Sequence, residues 1–226
     1  MAVALCNALA RASQYVRRHG FRAACARLQL SVSRGFFRSR FDLFYYDLRR
    51  GDLREPELPP GSIVERRTAE ADLHPAERQT ILYAWNPRLV TKQLKERFGR
   101  GASLWLFKLE DSVAGYGWSI VGRTVEPHFF PLASNDLHLF DFFVFPQHRG
   151  RRINPSLVNH ILAQLASETD GRAFIEAAEW NHPQLSSLRR TPFLLLGRAS
   201  KRCLFGRTIV TWSSEKGSTN APQNPV

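Results

Sequence analysis

The residues with the most chemistry per unit length lie between Leu137 and Ser156, LHLFDFFVFPQHRGRRINPS. Three guanidinium groups (Arg149, Arg151, Arg152) surround Gly150. Clustered arginines beside a glycine suit a phosphate or diphosphate: the planar forks bind its oxygens, and glycine lets the backbone approach closely. A solvated basic turn is the plainer alternative. Upstream, Asp141 interrupts an apolar run of Leu139, Phe140, Phe142, Phe143, Val144 and Phe145. A carboxylate in that setting either pairs with an arginine or acts as a general base, directly or through water. Strict alternation puts Asp141 on the face shared with Phe143 and Phe145. Glu176 and Glu179, in the segment RAFIEAAEW, are the further carboxylates for the same role.

These groups need a strand, a turn and a helix to hold them. Pro146 cannot donate to a sheet ladder and closes the strand. Pro155 suits the first turn of a helix, whose apolar stripe is Leu157, Ile161 and Leu162. Strand, basic turn and helix start together present unpaired backbone N–H groups and a positive helix end.

Val144-x-Pro146-x-x-Arg149-Gly150-Arg151-x-Ile153 resembles the acyl-CoA-binding signature of the GNAT superfamily of acetyl-CoA-dependent N-acyltransferases. In that signature the loop reads Arg/Gln-x-x-Gly-x-Gly/Ala. Arg149 fits its first position, whereas Arg152 and Asn154 stand at the two glycine positions. Downstream, the strand RAFIEAAEW, Asn181, a short helix and Phe193 resemble the second half of the family pattern, with Pro192 in the place of glycine and Leu188 in the place of a thiolate-protonating tyrosine. The resemblance covers roughly residues 104–193. It implies that Phe143, Val144 and Phe145 present backbone groups to the pantetheine arm. It further implies that amides and side chains from Arg149 through Gly150, Arg151, Arg152, Ile153 and Asn154 hold the pyrophosphate. Asn181 then fixes the CoA arm or a catalytic water, with a helix N-cap as the alternative. Asp141 and Glu179 are the candidate catalytic carboxylates.

The remaining chain gives the elements in order. Residues 41–48 read as a strand, 54–61 as a proline-rich loop and 62–66 as the first strand of the catalytic domain. Helical patterns over 75–84 and 87–98 follow, the second stopped by glycine. Strands over 103–109 and 113–120 flank a hairpin turn at Glu110-Asp111-Ser112. Glycines 115, 117 and 122 permit bulges, close approach or relief of crowding. Glu126-Pro127-His128-Phe129-Phe130-Pro131 is an aromatic loop whose two prolines and two phenylalanines either shape an acceptor pocket or plug the core. The expected fold is α/β (α+β): by resemblance a GNAT-like mixed, mainly antiparallel central sheet of six to seven strands flanked by helices.

A chain of 226 residues that is 43% hydrophobic can bury one substantial core. The expected division is a basic helical N-terminal extension over 1–40, a GNAT-like domain over 41–212 and a disordered tail over 213–226. Eight arginines and no acid in residues 1–41 supply most of the net charge of +12. This asymmetry points to an anionic surface, such as the inner face of a membrane, to a transit peptide, or to helices packed on the domain. No apolar run spans a bilayer, and cysteine and histidine spacing predicts no metal. The implied partners are acyl-CoA, chiefly acetyl-CoA, and an amine of a small or lipid-linked acceptor, an amino sugar among them, in the cytoplasm. A GNAT-fold binding or regulatory module without turnover is the second class. Nucleic-acid binding by the arginine- and phenylalanine-bearing arm is the third, disfavoured because no reading motif accompanies it.

Overall fold

In the computed structural model the described residues are 39–214, except 52, 54–57, 85, 126–127 and 205–206. The basic helical extension expected over 1–40 lies outside them except for Ser39 and Arg40, as does the tail beyond Ser214. The strands are β1 (Ser39–Asp47), β2 (Ser62–Arg67), β3 (Ser103–Leu109), β4 (Ser112–Val121), β5 (Leu137–Val144), β6 (Arg172–Ala178), β7 (Leu194–Leu204) and β8 (Arg207–Ser214). Four α-helices join them: α1 (Pro75–Ala84), α2 (Pro87–Gly99), α3 (Ile153–Leu165) and α4 (His182–Leu188). One sheet runs in the order β2-β3-β4-β5-β6-β1-β7-β8. Its eight strands exceed the expected six to seven, because the stretch after Phe193, unassigned from the sequence, forms β7 and β8.

β2 to β5 pair antiparallel in succession, while β6 pairs parallel with β5 and antiparallel with β1. Glu110 and Asp111 turn the β3–β4 hairpin with φ of 47° and 65°, the left-handed pair whose twist matches that of the flanking strands. Alternation then divides the core. Trp105 and Phe107 of β3 face a cluster with Leu137, Leu139, Ile175 and the α3 stripe of Leu157, Val158, Ile161 and Leu162. Leu104 and Leu106 face the opposite cluster, with Ile81 of α1, Val90 and Leu94 of α2, Tyr116, Trp118 and Phe145. Burying each such side chain contributes roughly 1.5–3 kcal/mol, so α3 is clamped to the sheet by its whole apolar face. Asn86 caps α2, its Oδ1 accepting from the amides of Arg88 and Leu89.

Two compact units share the chain. One comprises Phe41–Ala199 with the residues from Trp212, and it holds every candidate site residue. Of the other, the described residues are Ser39–Arg40 and Ser200–Thr211 except 205–206; within it, the Ser200 and Thr211 hydroxyls hydrogen-bond at 2.7 Å. No helix among the described residues is long and apolar enough to cross a membrane.

Candidate active site

The central feature is a parting of strands. β5 and β6 pair only at Leu137–Ala173, His138–Phe174 and Leu139–Ile175. Beyond these, β5 stays with β4 as far as Val144, and β6 stays with β1 as far as Ala178. The two strands therefore diverge, leaving a wedge with Phe140–Val144 on one edge and Glu176–Ala178 on the other. The β4–β5 register also slips between Tyr116 and Trp118, so Gly117 alone faces both Asp141 and Phe142. This bulge places Asp141 at φ +51° and disrupts the local ladder, as bulges do. A side chain at Gly117 would meet the Phe142 ring at 2.4–2.9 Å, so here glycine relieves crowding.

At the open end the chain makes a short 3-10 turn (Pro146–His148) and enters α3 through Gly150, at φ +81°, and Arg152, at φ +58°. Phe145 N donates to Ala114 O, and Arg149 Nε donates to Val144 O at 3.3 Å, holding the turn on the strand end. Among the described residues, the amides of residues 150–154 donate to no acceptor, and the exposed Arg151 and Arg152 side chains meet no acid. Five N–H groups without an acceptor among the described residues thus lie at a helix start amid three arginines, the combination of donors and positive charge that suits an anion. The Phe145 and Ile153 side chains are core residues, so only their backbone can contribute. The Asn154 side-chain nitrogen is committed to α4, with Nδ2 donating to Gln184 Oε1 at 2.8 Å and Ser187 Oγ at 3.0 Å. Phe143 and Val144 lie half-buried on the wedge edge, Phe143 stacking on Tyr116.

The other predicted residues are scattered. Asp141 does not share the face of Phe143 and Phe145: the bulge turns it out, 47% exposed, where Arg97 Nη1 contacts its Oδ2 at 2.5 Å. The same guanidinium covers Trp118 and Phe140. Asn181 caps α4, its Oδ1 accepting from Gln184 N at 3.4 Å. Glu179 lies half-buried just past the end of β6. Leu188, in the place of the expected acid, is fully buried in the α3 cluster. Burial, with the nearby charge of Asp141, pushes the Tyr116 phenol up, so its proton stays on.

Sequence spacing did not reveal the cluster at the apex of the wedge. His138, on β5 in the paired stretch, hydrogen-bonds through Nε2 to Glu176 Oε2 at 2.9 Å. Glu176 is the first residue of β6 beyond its pairing with β5. His128 Nε2 lies 3.8 Å from the same oxygen. One ligating atom from each of these three side chains falls within a 4.8 Å group. Aromatic rings enclose them: Phe140 stacks on His138, while Phe130 and Phe174 pack edge-on to His128. The available signal was a titratable residue at an inward position of each of two apolar strands; the β5–β6 register that joins them was not in the sequence.

The acetyltransferase (GNAT) family model matches residues 67–190. No curated protein matches. Among solved structures, a GNAT-family acetyltransferase from Colwellia psychrerythraea superposes with a TM-score of 0.52 at 11% identity, covering 84% of this chain and 62% of the other. A Drosophila protein gives 0.51 at 14% identity, with 76% and 54% covered. A conserved protein of unknown function from Staphylococcus epidermidis gives 0.50 at 10%, with 76% and 63% covered. The chain thus spans between 54% and 63% of the length of these three structures, and at such identities the likeness is one of fold.

Proposed function

This chain belongs to the GNAT acetyltransferase family, and from that premise we propose that it transfers an acyl group, chiefly acetyl, from CoA to an amine of a small or lipid-linked acceptor. The observation that carries this reading is the wedge between β5 and β6, ending in a turn with five open amides and three arginines. In it, residues 149–154 hold the pyrophosphate through amides and guanidinium groups, and the exposed edge of Phe143–Phe145 runs beside the pantetheine arm. The bulge leaves backbone polar groups of β5 free to meet the thioester, where preorganised donors stabilise an oxyanion. Asn181, at the mouth of α4, orders the arm or a water. Glu179 is a carboxylate beside that mouth. The arginine-rich residues 1–41 favour work at an anionic membrane surface on its cytoplasmic side.

Calorimetry with acetyl-CoA tests the reading. One-to-one binding is expected, weakened about tenfold or more when Arg149→Ala and Arg151→Ala remove two charge-assisted contacts. No heat with the wild-type chain removes the proposal. A second reading, binding without turnover, is favoured by Arg152 at a close-approach position and Leu188 in place of an acid. Thiol release across an amine panel separates the two.

A further inference from the structure

We propose that His138 is the base that receives the acceptor's proton, and that Glu176 is the positioning residue that fixes its tautomer. This rests on the acyltransferase reading and names a group for it that lies in neither sequence motif. The geometry is that of a carboxylate–imidazole pair. Glu176 Oε2 lies 2.9 Å from His138 Nε2; an ionised carboxylate only accepts, so the proton of the neutral ring sits on Nε2. That leaves Nδ1 as the lone-pair atom. Nδ1 is buried and has no partner among the described residues, in a side chain only 6% exposed. An unpaired buried acceptor is costly to keep and is expected where a donor arrives with a ligand. The pair also sits where the chemistry needs it: His138 is one residue before the last β5–β6 pairing and Glu176 one residue after it, at the apex of the wedge.

Among the described residues, the charged or titratable groups facing His138 are Glu176 from β6 and His128 from the segment before β5. Phe140 stacks on the ring from its own strand, while Arg172, at the start of β6, is turned to Asp136. Asp141 faces Arg97 instead, so its Oδ2 is engaged. In the reaction one proton leaves the acceptor nitrogen for Nδ1 as the new N–C bond forms. The C–S bond breaks, the thiolate takes one proton from water, and the imidazolium returns one to water. No further reagent is consumed.

Histidine and glutamate side chains this close also suit a divalent transition metal. A metal about 2.0–2.1 Å from each ligand would hold the donor atoms roughly 3.3 Å apart in a tetrahedron. The 2.9 Å and 3.8 Å separations are those of one hydrogen bond and one looser contact, which favours a proton.

The experiment has two arms on the full chain. Long-range 15N NMR of the wild type should show His138 as the neutral Nε2–H tautomer near pH 8, shifting toward a mixture in Glu176→Gln. An Nδ1–H tautomer, a ring still cationic at pH 8, or stoichiometric metal by elemental analysis overturns the proposal, whether or not an acceptor is known. The second arm measures kcat/KM against pH with acetyl-CoA and tyramine or glucosamine. His138→Ala should lose on the order of 10²-fold or more with acetyl-CoA affinity unchanged within about twofold, and Glu176→Gln should lose roughly tenfold with a displaced pH limb. Wild-type activity retained in His138→Ala sinks the base alone. Failure of the wild type to bind acetyl-CoA sinks the acyltransferase reading and leaves the tautomer result to decide the pair.

Discussion

Glu77 and Glu176 are both carboxylates withdrawn from water, and they differ in their partners. Glu77, on α1 and 5% exposed, receives Lys108 Nζ at 2.7 Å, Arg67 Nη2 at 2.8 Å and the amide of His74 at 3.0 Å. Glu65 of β2 meets the same two cations. Burial alone would raise the Glu77 carboxyl, but the hydrogen bonds from Arg67, Lys108 and His74 outweigh it and hold it at about 2. Burial likewise opposes the charge on Lys108 and is outweighed by Glu65 and Glu77, which raise it. Every member is charged through the neutral range, so the cluster ties α1 to β2 and β3 and exchanges no proton there. Glu176 is met instead by the imidazoles of His138 and His128. One carboxylate is locked by permanent cations; the other has partners that can trade a proton.

The largest test of this contrast is structural. Glu77→Ala leaves Arg67 and Lys108 facing each other with less counter-charge, and breaking a buried pair on one side costs about 3–5 kcal/mol. Thermal and urea unfolding should show that loss, whereas Glu176→Gln, which keeps an acceptor for His138, should stay within about 1 kcal/mol of wild type. Equal losses would erase the distinction. The next effect is in pH. Because the folded carboxyl of Glu77 lies below its ordinary value of 4.5, its contribution is fully present above about pH 4.5 and disappears as pH falls toward 2. The shift corresponds to roughly 3 kcal/mol. Urea midpoints across that window should decline steeply in wild type and less so in Glu77→Gln; parallel declines would show that the ionised form of Glu77 is not what the fold prefers.

The same contrast marks what could be read from sequence. Elements with strong local signals were legible: α1 over Pro75–Ala84 was expected with those limits, and α2, β3, β4 and β6 came within about two residues. The basic turn and its helix start were legible because proline, glycine and arginine state their conformational and charge preferences locally. The Glu176–His138 pair was not, because it depends on a parallel register between strands separated by a helix. Asp141 shows a third case. Alternation set it among aromatic residues, yet one extra residue opposite Gly117 reversed the parity of everything after it. A bulge is a pairing event between two strands, invisible in either one.

Asp141 therefore gives the finest test. Its carboxylate is 47% exposed and bonded to Arg97, a pair of the kind that contributes about 0–1 kcal/mol. Asparagine is the discriminating replacement because it tolerates positive φ nearly as well as aspartate; at +51° a β-branched residue would confound charge with backbone strain. If Arg97 and Asp141 only brace the bulge, Asp141→Asn should cost less than about 1 kcal/mol, leave acetyl-CoA affinity unchanged and reduce kcat/KM by a few-fold. The form of its pH profile should not move, since the proton acceptor lies elsewhere. If Asp141→Asn instead abolishes the basic limb of the profile while His138→Ala preserves it, the assignment of base passes from the buried pair to the bulge. Glu176 would then be a second structural carboxylate like Glu77, merely with softer partners.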